Sequence, residues 1–340
     1  MKVRIEGFRY TVLTLATVLL IAMSTLAFAP SGGEAQNGSG FKLQIPGAAS
    51  SSEVIYVLDT DNHRVQTFND KGVYQSQFRH AFDLPTGIAL DSANSVFVKD
   101  GNQHCRADKF DREGKYLLQF GHCSHHGIGR RVFDNTGAVA TTATGNVWVS
   151  SPDFYYIQEF DGSGKFLRIV CMGSEVQNCP PATTFDVQPF GIAVDANENV
   201  YVTNVYPQGG NNVVKFDSRG KYISTIGSAG SGDGQFKDPE GIAIDPSGNI
   251  YVADSDNNRI EEFNRDGVYL GQFGSFGSGN GQFNGPVGIA FGAGGKIYVT
   301  DVGNNRVQKF GSDGSYESQF GSYGNGNGEF FAPLGIAISK

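Results

Sequence analysis

Residues 241–274 read GIAIDPSGNIYVADSDNNRIEEFNRDGVYLGQFG, and residues 288–321 repeat them as GIAFGAGGKIYVTDVGNNRVQKFGSDGSYESQFG. Looser copies precede both. A GIA-type first strand begins at Gly87, Gly137, Gly191, Gly241, Gly288 and Gly335, and a second centres on Tyr56, Phe97, Trp148, Tyr201, Tyr251 and Tyr298. A third ends at Phe68, Phe110, Phe160, Phe216, Phe263 and Phe310, and a fourth follows, as in VYLGQF (268–273) and SYESQF (315–320). Four residues beyond each of those Phe lies a Gly: Gly72, Gly114, Gly164, Gly220, Gly267 and Gly314. Glycine takes a left-handed turn position without steric penalty, so the spacing marks a hairpin between third and fourth strands.

Short runs rich in aromatic and β-branched residues, bounded by Gly, predict an all-β chain. A single four-stranded unit buries its faces only by stacking on neighbours, and a ring of six does this for every unit. The first copy lacks an inner strand and starts at Val54-Ile55-Tyr56-Val57, whereas the chain finishes just after one, Pro333-Leu334-Gly335-Ile336-Ala337-Ile338. The two termini together supply one blade. The expected fold is a six-bladed β-propeller of four-stranded antiparallel blades over residues 53–340, closed by pairing of its N- and C-terminal strands.

Composition agrees. Gly contributes 47 of the 340 residues, and Phe and Tyr contribute 26 and 14. Beyond the first thirty residues no window repeats apolar positions every three to four residues, which excludes a helical bundle and a doubly wound α/β fold. A hydrophobic content of 39% excludes a disordered chain. Lys2, Arg4 and Arg9 precede the uncharged stretch 11–29, which ends in Ala27-Phe28-Ala29. Residues 1–29 therefore read as an export leader, either cleaved as a signal peptide or kept as a membrane anchor. Residues 30–52 read as a flexible linker. Without the leader's three basic residues and one acidic residue, the totals of 26 and 34 become 23 and 33, a balance of −10. Nucleic-acid binding needs basic surface and is disfavoured. A secreted or extracytoplasmic location is expected, with membrane contact only if the leader is retained.

In an oxidising compartment four Cys predict disulfides. Cys105 lies on a third strand and Cys123 just past the fourth strand that follows, so bonding Cys105 to Cys123 would staple neighbouring strands. Cys171 and Cys179 flank an insertion and would close a short loop. The rival is a metal cluster of His104, Cys105, His122, Cys123, His125 and His126, whose irregular spacing suits zinc less well.

Second strands end in Asp59, Asp100, Asp254 and Asp301, and the same four copies open their third strands with Arg64, Arg106, Arg259 and Arg306. The other two copies lose both partners together, carrying Ser151 with Tyr156 and Asn204 with Asn212. This joint loss predicts bidentate Asp–Arg clamps within blades, in preference to a metal-binding ring of carboxylates.

The motifs P-x-G-I-A-[ILV]-D, G-N-[IV]-Y-V-[AT]-D and N-R-[IV]-x-x-F stand in full at 239–245, 248–254 and 258–263. Through them the chain resembles the NHL family of six-bladed propellers over about residues 53–340. The resemblance implies the fold but not a function, because relatives include RNA binders, protein-binding modules, lyases and lactonases. In the family's zinc-dependent lyases, His fills the position between Pro and Gly in several blades and binds the metal. Here that position holds Thr86, Thr136 (where Asn replaces the Pro), Phe190, Glu240, Val287 and Leu334. These residues are expected to face the central opening as a candidate binding rim, and a zinc lyase is disfavoured.

The Gly-rich linkers GSAGSGDGQF, GSFGSGNGQF and GSYGNGNGEF lack phosphate-loop spacing, so their Phe236, Phe283 and Phe330 are expected to tuck between sheets. Insertions at 121–131, 171–188 and 205–211, with Trp148, Phe154, Tyr155, Tyr156 and Tyr206 in the same half, point to a binding surface. The expected function is an exported, non-enzymatic scaffold that presents one face to a protein, peptide or glycan, with no catalytic residue or cofactor. One alternative is a propeller enzyme of lyase or lactonase type, using calcium or zinc with Glu240 as first ligand. The other is a nucleic-acid-binding NHL protein.

Overall fold

Second strands are buried along their whole length, and this sets the architecture. Ile250–Asp254 and Ile297–Asp301 hold no exposed position. Each is paired on both edges within its own sheet and covered on both faces by the sheets on either side. Fourth strands such as Tyr269–Phe273 alternate between half-buried and exposed positions at the outer rim. The computed structural model describes residues 53–339 apart from 124–128, 135, 174–178, 180 and 206–209. The leader, the linker, His125, His126 and Tyr206 lie outside the described residues.

Six four-stranded antiparallel sheets form the ring. In chain order, blade 1 combines Val54–Asp59, Arg64–Asn69 and Tyr74–Phe78 with Pro333–Ile338 as its inner strand. Blades 2 to 6 then begin their inner strands at Pro85, Val139, Pro189, Pro239 and Pro286. Closure is antiparallel: Ile55 faces Ile338, Tyr56 faces Ala337 and Val57 faces Ile336. Each pair of adjacent blades has its own apolar cluster. Tyr251, Ile260, Ile289 and Phe310 fill the space between blades 5 and 6, and Val57, Phe68, Val307 and Ile336 that between blades 6 and 1.

Two expectations need correction. Most inner strands start at the Pro, two residues before the Gly, because the Pro still pairs with the terminal Asp or Asn of the second strand across a bulge. Blade 3 has no Pro there; Gly137 takes φ +107° and the inner strand shrinks to Val139–Thr141.

The hairpin glycines have a second role. Gly267 has φ +82°, and a Cβ there would lie 2.7 Å from Ile226 of blade 4; Gly314 has φ +76° and would press on Phe273 of blade 5. The same turn that needs a left-handed residue thus packs against the preceding blade's outer strand.

Strand direction divides the loops between two faces. Loops joining second to third strands, and linkers from one blade to the next, all emerge on what we call the loop face. The opposite, turn face carries tight turns in which a leading Asp or Asn accepts from the amides two and four residues ahead. Asp91, Asp111, Asp161, Asp217, Asp245 and Asn264 all do so.

Candidate functional site

The inner strands enclose a central cavity of about 90 Å³ lined by successive tiers of residues. Thr86, Phe190, Glu240, Val287 and Leu334 form its mouth on the loop face, above a tier of Gly and then a tier of Ile and Val. Thr136 is not part of the lining; Ala138 represents blade 3, since its inner strand starts late. The Gly tier exists because neighbouring inner strands touch through their backbones. A Cβ on Gly288 would lie 2.5 Å from the Leu334 carbonyl oxygen, and one on Gly241 would overlap that of Val287.

Hydroxyl groups lock the mouth. Thr203 Oγ1 accepts from Gly191 N at 2.8 Å and donates to Glu240 O at 2.8 Å. Thr300 repeats this with Gly288 N and Leu334 O at 2.6 and 2.7 Å, and Ser150 with Ala138 N and Phe190 O at 2.7 and 2.6 Å. Each hydroxyl joins its own blade to the next one's mouth residue, fixing the backbone while the side chain faces the cavity. Sequence reading missed this device, although a hydroxyl just before the end of the second strand in three copies was its signal.

Glu240 is the one carboxylate at the mouth, and among the described residues its side chain has no hydrogen-bond or ion-pair partner. Protein surrounds it although some surface stays reachable through the opening. Burial, aided by Asp238 and Asp256, pushes its carboxyl up to about 8. Beside it the lining offers the Thr86 hydroxyl, itself donated to Gly137 O at 2.7 Å. This donor set does not fit a zinc or calcium centre, which needs several converging His, Cys or carboxylate ligands. Among the described residues no such group of three occurs.

Asp59 and Arg64, Asp254 and Arg259, and Asp301 and Arg306 come together through Nε–Oδ2 bonds of 2.6, 2.7 and 2.8 Å. The contact uses one nitrogen and is not bidentate, because the other donors reach elsewhere. Arg259 Nη2 donates to the Gly232 and Gln235 carbonyls, and Arg306 Nη2 to those of Gly279 and Gln282. The arginine thus ties the incoming Gly-rich linker to its blade, and Phe236, Phe283 and Phe330 on those linkers are fully buried. The fourth pair departs from expectation. Asp100 and Arg106 are 3.7 Å apart without a hydrogen bond; Arg106 Nε turns to Asp108 at 2.9 Å, and His104 Nδ1 meets Asp100 at 2.7 Å.

Both disulfides are present: Cys105 bonds Cys123, and Cys171 bonds Cys179. Oxidised sulfur cannot serve as a thiolate ligand, which removes the zinc-cluster reading of His104, Cys105, His122 and Cys123. In blade 2 the position of Thr203 and Thr300 is filled by the fully buried Lys99, whose Nζ donates to Asp134 O across the blade boundary at 2.8 Å. Burial lowers the Lys99 ammonium and raises the Asp134 carboxyl. The described ends of the three insertions, both disulfides, the cavity mouth and, among the described residues, the most exposed aromatics, Phe276 and Tyr323 at 70% and 69%, belong to the loop face.

This arrangement defines a six-bladed β-propeller with its variable surface on one side. The NHL repeat pattern matches residues 236–263 and 283–310, in blades 5 and 6 of the ring. Protein brain tumor of Drosophila melanogaster is 28% identical over 149 residues, 44% of this chain; the match spans only 13% of that protein's length. The fold is similar to a chain in the crystal structure of a nidogen/laminin complex, with TM-score 0.65, 13% identity, and coverage of 85% of this chain and 98% of that one. It is also similar to virginiamycin B lyase from Staphylococcus aureus, with TM-score 0.51, 16% identity and 74% of each chain covered.

Proposed function

We propose that the protein is an exported, non-enzymatic scaffold that holds a protein partner on its loop face. One observation carries this reading: among the described residues, the chain enters and leaves each of the three insertions on the loop face, while the turn face stays a set of tight turns. Loops on a rigid ring are where binding concentrates, and exposed aromatic side chains supply its anchors. The disulfides suit an oxidising compartment, in keeping with the leader read from residues 1–29. A similar propeller solved within a nidogen/laminin complex supports a protein as the partner class.

A photocrosslinking amino acid placed at Phe276 or Tyr323 on the loop face, and at Val268 on the turn face, tests the reading in the native extracellular medium. A discrete crosslinked protein from the loop-face positions alone is expected. Equal capture from both faces, or capture from Val268 only, overturns it.

A further inference from the structure

We propose that the cavity mouth receives one cationic side chain, lysine or arginine, from the polypeptide that docks on the loop face, with its charge seated on Glu240. This deepens the binding reading and rests on it.

The argument begins with an imbalance. A buried or enclosed carboxylate is ordinarily matched by a cation or by several hydrogen-bond donors. Elsewhere on the loop face this rule holds: Asp59, Asp254 and Asp301 each face an arginine, and each also accepts from backbone amides. Glu240 has neither among the described residues. The Thr203 hydroxyl, which reaches this residue, is spent on the Glu240 backbone carbonyl. Around the carboxylate, Phe190, Val287 and Leu334 supply apolar walls.

Shape and charge narrow the occupant. A cavity of about 90 Å³ is far below the 300–1,000 Å³ of drug-sized sites and suits the end of one long side chain. Lysine and arginine carry an apolar stem behind a charged head, which matches apolar walls leading to a carboxylate. The surroundings favour a cation as well. Asp238 and Asp256 lie close enough to raise the Glu240 carboxyl, and the body of the chain is net acidic. Lys237, the neighbouring cation in sequence, is engaged with Asp256 at 3.1 Å and is not among the residues lining the cavity.

Binding should therefore be linked to pH. A cation stabilises the ionised form of Glu240, so its binding releases a proton wherever the empty site is protonated. The groups facing Glu240 are Asp238 and Asp256, both acidic, and the non-titrating Thr86, Phe190, Val287 and Leu334. With the free carboxyl at about 8 and a lysine ligand charged to about 10, affinity rises between roughly pH 6 and 9.

The test uses the full chain and three capped tripeptides, acetyl-Gly-Xaa-Gly-amide with Xaa lysine, arginine or norleucine, followed by NMR shifts and calorimetry. The lysine and arginine peptides are expected to bind, norleucine not, with affinity increasing toward pH 9. Glu240→Gln, which keeps shape and hydrogen-bonding capacity, should weaken the cationic peptides at least ~10-fold and flatten the pH dependence. Three results overturn the proposal: norleucine binding as well as lysine, an unchanged Glu240→Gln, or no shift up to ~10 mM peptide. Calcium alone displacing the peptides would overturn it in favour of a metal site. Failure here with loop-face crosslinks intact leaves the binding face standing; crosslinks from the turn face remove the wider reading instead.

Discussion

Blades 5, 6 and 1 solve the problem of joining one blade to the next in one way, and blades 2, 3 and 4 solve it in three. In the regular arc an arginine on the third strand salt-bridges its own Asp and reaches back to the carbonyls of the linker that brought the chain in. In blade 3 that work falls to Tyr156 Oη and Gln158 Nε2, which both donate to Val132 O at 2.7 Å. In blade 2 Arg106 Nη2 donates to His80 O of the incoming linker at 3.2 Å, and blade 4 places Asn204 against Asn212 at 3.2 Å. In five of the six blades a third-strand side chain donates to a carbonyl of the incoming linker. The Asp–Arg pair is one way to supply that donor, and the arc that departs from that pair also carries the insertions 121–131, 171–188 and 205–211.

The largest test of that comparison is to remove the same side chain from both arcs. Arg259→Met leaves Asp254 uncompensated in the interior and strands three linker carbonyls, so a loss of about 3–5 kcal/mol is expected. Arg106→Met leaves Asp100 with His104 but strips the buried Asp108 of its arginine; because that carboxyl, raised to about 6, takes up a proton more easily, a smaller loss of about 1–3 kcal/mol is expected. Chemical denaturation of the two variants measures the difference. Equal losses would erase the distinction between arcs.

Reduction acts on the irregular arc alone. Cys105 and Cys123 are 18 residues apart, and closing a loop of that length stabilises by about 3 kcal/mol in the chain-entropy picture. Adding reductant should lower the melting temperature and speed hydrogen exchange first in residues 129–133, while residues 274–285 keep their protection. Simultaneous loss of protection in both segments would show that the arcs do not differ in local stability.

Blade count, hairpin positions, disulfide pairing and terminal closure were legible in the sequence because each leaves a mark inside one repeat or at one chain end. What was not legible depends on contacts between copies. Gly288 sits in a motif whose spacing identifies a strand, but only the ring reveals that the Leu334 carbonyl leaves no room for a side chain there. Arg259 announces Asp254 five residues away; its acceptors Gly232 and Gln235 lie in a linker where every carbonyl reads alike. Thr136 was misplaced in the rim because counting from a degraded motif assumes a Pro-initiated strand, and blade 3 has lost the Pro. For the mouth, position along the inner strand identified five of its residues, whereas the isolation of Glu240 required knowing where Thr203 and Lys237 direct their donors.

The finest test lies within the regular arc, where one blade departs from the other two. Gln66 and Gln308 each accept from a linker amide through Oε1 and donate through Nε2 to a linker carbonyl and to the clamp Asp. Blade 5 has Glu261 instead: Oε1 accepts from Gly234 N at 3.2 Å, and the buried Oε2 has no partner. Burial, with Asp254 adding to it against the pull of Arg259, raises the Glu261 carboxyl to about 7. The folded state thus holds this proton more tightly than the unfolded chain, whose carboxyl titrates near 4.5. Stability from this group is full below about pH 4.5, falls as pH climbs to about 7, and stays low above it. Glu261→Gln supplies a permanent Nε2 donor and should raise stability at pH 8 by about 1–3 kcal/mol, with little change at pH 4.5. Denaturation of both proteins across that range is the measurement. A variant that is less stable than the parent at pH 8 would mean that the Arg259–Glu261 contact at 3.0 Å outweighs the orphaned oxygen, making blade 5 a charged version of its neighbours instead of an impaired one.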